Sequence, residues 1–178
     1  MMVDAAGRVD AARFLASPNC DERPPGESIS LLVIHNISLP PGEFGGDAIA
    51  QLFANELDCT AHPYFRALAG LRVSAHFLIR RSGELLQFVP CVRRAWHAGA
   101  SSWCGRSGCN DFSIGVELEG TDDLPYAEPQ YRMLAQLART LMAAYPVAGV
   151  AGHCDIAPGR KTDPGPSFDW PRFRGSIA

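Results

Sequence analysis

The sequence predicts an α/β (α+β) fold, a mixed central β-sheet flanked by helices, and three stretches carry that prediction. Residues 30–37, SLLVIHNI, are apolar, rich in β-branched side chains and too short for a helix, which is the pattern of a buried strand. Residues 113–119 alternate strictly, with Ile114, Val116 and Leu118 on one face and Gly115, Glu117 and Glu119 on the other, the period of two that a strand requires. From Pro129 onward, Tyr131, Leu134, Ala138, Leu141, Met142 and Tyr145 recur at helical spacing as one apolar stripe, and proline suits the first helical turn. One-sided elements of both kinds must bury their apolar faces against each other, which gives layers of sheet and helix.

The remaining elements follow in chain order. Pro24-Pro25-Gly26 ends an N-terminal arm, residues 1–28, that packs on the body. After the first strand and the loop Pro40-Pro41-Gly42, the spacing of Ile49, Leu52, Phe53 and Leu57 predicts an amphipathic helix from about Asp47. Residues 73–80 and 84–89 flank Ser82-Gly83, so an antiparallel hairpin is expected there. Residues 147–152 read as a short strand ending at His153, after which the chain turns often. No repeat and no long linker interrupts residues 1–178, so one domain is expected; a domain of this size buries roughly 70% of the surface of its unfolded chain.

Composition removes several classes of function. The net charge of −3 argues against nucleic acid as a partner, because phosphate-backbone binders draw most of their affinity from clustered positive charge. The arginines at 80–81 and 93–94, with Arg72, Arg106 and Arg160, can face an anionic ligand or simply solvent. Asp4, Arg8, Asp10 and Arg13 interrupt the place where a secretory signal needs an apolar stretch. No segment approaches the ~20 apolar residues of a membrane span. The expectation is a protein that stays in the cytoplasm, with no membrane partner and no obligate protein partner. Six cysteines without paired spacing fit reduced thiols in that compartment. Cys104 and Cys109 resemble half of a metal site, but no second pair completes it.

The segment 153–170, HCDIAPGRKTDPGPSFDW, concentrates a histidine, three aspartates and a lysine between prolines, and such rigidity lowers the entropy lost when ligands converge. His35 and His153 each stand where an apolar strand ends, the usual place for binding groups in open sheets. A catalytic zinc site takes three protein ligands, often imidazoles with a carboxylate; Asp155 and Asp163 compete for the third place, and spacing does not choose between them. His62, His76 and His97 carry the ordinary reading of core or surface histidines, although His97, in WHAG, is a candidate for ligand contact. Cys154 as a thiolate nucleophile would need a base, and its neighbour His153 points the other way on a strand.

At this point the chain resembles a known family, the zinc amidases that include T7-type lysozymes and animal peptidoglycan-recognition proteins, and within it the AmpD-type anhydro-muramyl amidases. The likeness rests on LLVIHNISLPPGEFGG, RVSAHFLIRR, RAWHAG, CNDFSIGVELEGTD and GHCDIAPGRKTDPGP, in order from about Leu31 to Trp170, with SPNCDERP in the arm. The resemblance implies a peptidoglycan-recognition/amidase-like fold and zinc (Zn2+) held by His35, His153 and Asp163. It implies Glu117 as general base, Lys161 at the reacting carbonyl, and substrate contacts from Asn36, Arg72, Trp96 and Arg106, which His97 joins as the candidate contact read from its own segment. The implied reaction is hydrolysis of the amide between 1,6-anhydro-N-acetylmuramic acid and L-alanine, with a small anhydro-muropeptide as substrate. Two other functions occur on this fold: an amidase of intact peptidoglycan, which would need export or a wall-binding domain, and a non-catalytic muropeptide-binding module, which lacks a zinc ligand.

Overall fold

Residues 1–178 are described by a computed structural model. Its strands are β1 (Arg13–Phe14), β2 (Cys20–Glu22), β3 (Leu31–Ile37), β4 (Phe77–Ile79), β5 (Leu85–Gln87), β6 (Arg93–Ala95), β7 (Ser102–Trp103), β8 (Arg106–Ser107), β9 (Ser113–Glu119) and β10 (Gly149–Gly152). Its α-helices are α1 (Ala48–Ala54), α2 (Glu128–Ala144), α3 (His153–Ile156) and α4 (Trp170–Ile177). Six strands form the central sheet in the order β1-β5-β4-β9-β3-β10, a mixed sheet with helices on it.

β3 runs between β9 and β10 and is parallel to both. A strand covered on both faces reads as a continuous apolar run rather than an alternating one, and residues Leu31, Leu32, Val33 and Ile34 are all buried. β9 pairs with parallel β4 on its other side, and β4 returns through Gly83, at φ +89°, to antiparallel β5. A side chain at residue 83 would also press against Pro129, at 3.0 Å. The hairpin turn is therefore a glycine position on both grounds.

One face of the sheet, built from Ile34, Phe77, Ile79, Val116 and Leu118, packs against α2 and α4 through Leu134, Leu137, Leu141 and Phe173. The opposite face carries two separate clusters. Under α1, Leu52 and Phe53 meet Leu78, Leu86 and Phe88; beside β3 and β10, Leu31, Val33 and Ala151 meet Ala98, Phe112 and Ile156.

The N-terminal arm is woven into this frame. β1 extends the sheet beside β5 and β2 pairs with β6. Arg23 donates to the carbonyls of Cys91, Asn110, Asp111 and Ser113. No helix is long and apolar enough to cross a membrane.

Three elements differ from the sequence reading. α1 stops at Ala54 because Asn55 adopts φ 63°, so Leu57 packs on the same cluster from outside the helix. His153 opens the single turn of α3 instead of ending a strand. The turn-rich C-terminus contains α4, whose first turn is capped by the Asp169 side chain accepting from Arg172 N–H.

Candidate active site

The cleft lies on the face opposite α2, at the C-terminal ends of parallel β3 and β9. Strand pairing sets His35 directly beside Glu117, and on the far side of β3 the end of β10 delivers His153. The loop after α3 folds back so that Asp163 reaches both histidines: His35 Nδ1 and His153 Nδ1 stand 3.0 Å apart, and each is 3.1 Å from Asp163 Oδ2. These three ligand atoms form a cluster able to hold a metal ion. For metal–ligand bonds of about 2.0–2.1 Å, a tetrahedral site has an edge of about 3.3 Å, close to the observed triangle.

The donor chemistry also fits a cation. Burial drives the His35 pKa down to about 4, so its imidazole is neutral near pH 7 and can offer a lone pair. Burial works to raise the Asp163 carboxyl, but contacts with His153 and His35 outweigh it and hold the group below its usual range. Two imidazoles and one carboxylate are a common zinc donor set.

Glu117 is the opposite case. Burial, reinforced by the charge of Asp163, pushes its carboxyl well above the usual range, with Lys161 opposing. Its Oε2 is buried without a hydrogen-bond partner. A buried carboxyl with raised pKa and a free oxygen beside a cluster of lone pairs is equipped to exchange protons with a bound molecule.

These residues line a cleft of about 380 Å³ together with Asn36, Trp96, His97 and Lys161. Its outer wall is apolar, formed by Leu39, Tyr64, Leu68, Leu71 and Val73. That wall had no counterpart in the sequence reading, because such residues carry no chemistry of their own and only proximity marks them. An adjoining recess of about 220 Å³ is lined by Arg72, Arg160 and Lys161 as well as Trp96.

The other candidates are placed as follows. Asn36 donates to Asp122 at 2.7 Å. Both ring nitrogens of His97 are engaged inside the protein, by His35 and Ser113. Arg106 pairs with Glu27 and lies over the Phe112 ring, outside the residues lining the cleft. Asp155 accepts from Gly152 N–H at 2.7 Å within the first turn of α3, which removes it from the competition for the third ligand place. His62 caps the turn at Pro63–Leu68, and His76 is buried between Gly115 N–H and the Arg93 carbonyl.

Comparison with known proteins adds an independent line. Residues 25–166 match the family described as N-acetylmuramoyl-L-alanine amidase. The 1,6-anhydro-N-acetylmuramyl-L-alanine amidase AmpD of Salmonella typhimurium (strain SL1344) is 59% identical over 179 residues, covering 99% of this chain and 96% of that protein. A crystal structure of a selenomethionine AmpD derivative superposes with a TM-score of 0.97 at 58% identity, over 100% of both chains. The amidase AmiD from E. coli, in complex with the substrate anhydro-N-acetylmuramic acid-L-Ala-D-gamma-Glu-L-Lys, superposes with a TM-score of 0.61 at 30% identity, over 98% of this chain and 65% of that one.

Proposed function

Because the chain belongs to the N-acetylmuramoyl-L-alanine amidase family, in its AmpD-type branch, we propose that it hydrolyses the bond between 1,6-anhydro-N-acetylmuramic acid and L-alanine with the help of zinc. The reaction serves the recycling of cell-wall muropeptides. The observation that carries the zinc requirement is the convergence of His35, His153 and Asp163 beside the unpartnered oxygen of Glu117. The AmiD complex, with an anhydro-muramyl peptide as its substrate, supports a substrate of the same chemistry here.

His35, His153 and Asp163 hold the metal, which when bound acts as a Lewis acid on a carbonyl and makes water a better nucleophile near neutral pH. Glu117 accepts the proton of the attacking water and returns it to the departing alanine nitrogen, a role worth about 10²- to 10⁴-fold in rate. Lys161, on the cleft wall, faces the oxygen that gains charge as the carbonyl becomes tetrahedral. A positive charge there favours the transition state over the neutral amide, and that difference lowers the barrier.

Binding falls to the surrounding side chains. Asn36 and Trp96 contact sugar and first peptide residue, Arg72 receives a peptide carboxylate, and His97 forms part of the wall. Arg106 would have to leave Glu27 to join them. The cytosol is the compartment assigned, a reading supported by six unpaired cysteines.

The direct test is mass spectrometry of an anhydro-muramyl tripeptide incubated with zinc-loaded protein. Free tripeptide and free anhydro sugar are expected. Full turnover by rigorously metal-free protein would end the zinc reading while leaving the amidase assignment intact.

A further inference from the structure

We propose that Asn19, in the SPNCDERP stretch of the N-terminal arm, is a positioning residue for the substrate cleft. With Ser17 and Ser74 it ties together the end of α1, residues Val73 and Ser74, and Trp96, three pieces of the cleft wall that lie outside the central sheet. The inference deepens the substrate reading above and rests on it.

Asn19 is 2% exposed, and every polar group it carries has a partner. Its Nδ2 donates to the Val73 carbonyl at 2.8 Å and to Asn55 Oδ1 at 2.9 Å, while its Oδ1 accepts from Asn55 Nδ2 at 3.0 Å. Asn55 is the left-handed residue that ends α1, so this pair of amides fastens the end of the helix to the arm. The backbone of Asn19 completes the joint. Its N–H donates to Ser17 Oγ at 3.1 Å, and the Ser17 hydroxyl donates to the Phe53 carbonyl in the last turn of α1. Its carbonyl accepts from Ser74 Oγ at 2.6 Å.

Ser74 carries the joint on to Trp96. A hydroxyl has one proton, and that of Ser74 is given to the Asn19 carbonyl, so its oxygen is left to accept from Trp96 N–H at 3.1 Å. Ser74 N–H donates in turn to the Trp96 carbonyl at 3.1 Å. A second tie lies one residue away, where Cys20 of β2 pairs with Ala95 of β6, directly before Trp96. Ser17 and Ser74 are buried like Asn19, and a buried network in which each donor meets an acceptor fixes one arrangement of its members.

The network shapes the cleft without touching the groups assigned to the chemistry. Leu52, Phe53, Val73, Ser74 and Trp96 all line the cleft. His35, Glu117, His153, Lys161 and Asp163 come instead from β3, β9 and the segment that follows β10, and none of them is a partner of Asn19, Ser17 or Ser74. Loosening the wall therefore removes contacts that substrate and transition state share. Such a loss raises KM and leaves kcat in place.

The experiment measures kcat and KM on an anhydro-muramyl tripeptide for the zinc-loaded full chain, Asn19→Ala and Asn55→Gly, with native-state amide hydrogen exchange on the same proteins. A wall displaced by about 1 Å can cost up to about 100-fold in kcat/KM. Asn19→Ala is expected to lose activity toward that limit through KM, with kcat and zinc content at parent values. Asn55→Gly keeps the left-handed turn and removes half of the amide pair, so a smaller rise in KM is expected, and this milder variant decides if Asn19→Ala does not fold. In both, Ser74 N–H and Trp96 N–H should exchange faster while the amides of β9 keep their parent rates. A merely structural residue would lower the thermal midpoint and leave KM of the folded molecules unchanged. KM within twofold of the parent in the folded variants overturns the proposal, as does exchange that is unchanged at Trp96 or accelerated equally throughout the sheet. A parent chain that leaves the tripeptide intact defeats the substrate reading instead, and the exchange pattern still judges the hold of Asn19 on the cleft wall.

Discussion

His35 and Glu117 are register partners on adjacent parallel strands, so the candidate metal ligand and the candidate base are held at a fixed spacing by the sheet itself. Neither depends on a loop for its position; His35 is buried, and Glu117 is the one residue of β9 that is only partly buried, on the wall of the cleft. That placement has energetic consequences which can be measured.

Glu117→Gln should retain zinc and lose about 10²- to 10⁴-fold in turnover. It should also stabilise the metal-free protein at neutral pH. Burial raises the Glu117 carboxyl, so the folded chain binds its proton more tightly than the unfolded chain. Stability then falls as pH climbs from the ordinary carboxylate value toward the raised one. Thermal midpoints of both proteins from pH 5 to 8 test this, and a variant melting below the parent at pH 7 contradicts it.

His35→Ala should lose metal and activity together. Metal analysis beside the amidase assay separates this outcome from that of Glu117→Gln. Retention of stoichiometric zinc by His35→Ala would remove His35 from the ligand set.

Acid should destabilise the metal-free protein through its buried imidazoles. Burial lowers His35 to about 4 and His76 to about 3, so between these values and 6.5 the unfolded chain binds protons that the folded one refuses. Their stability contribution is intact above pH 6.5 and is lost as pH falls. At about 1.4 kcal/mol per pKa unit, each contributes on the order of a few kcal/mol. Urea unfolding at pH 7.5 and 5.0 in the Glu117→Gln background, where the opposing slope is absent, should show the lower midpoint at pH 5.0. Equal midpoints would refute the neutral state of these rings.

Gly115→Ala should be disproportionately harmful for a one-carbon change in a strand. The new methyl meets His97 Cγ at 2.5 Å, and overpacking of this kind costs about 1–3 kcal/mol. The ring must shift away from His35, so zinc affinity should fall along with the thermal midpoint. A variant matching the parent in both respects would show that the ring has room to spare.

The order of β3, α1, the β4–β5 hairpin, β9, α2 and β10 was legible in the sequence, because each carries an apolar period that depends only on its own residues. α4 was not. It has eight residues and a single buried side chain, Phe173, too little to print a stripe, and its place is decided by the face of the sheet that α2 leaves uncovered. The histidines His35 and His153 could be picked out as strand-end groups, yet spacing left Asp155 and Asp163 level as their partner.

What the amino-acid order determined by itself was therefore the local material: strand periods, a helix stripe, and a family likeness spread over most of the chain. Only the folded molecule decided which polar groups meet. Asp155 is spent on a neighbouring N–H while Asp163 reaches back across ten residues to His153, and His97 meets His35 across 62. Periodicity reports which face a residue occupies, whereas contacts of 3 Å between distant segments arise from the packing of all the layers at once.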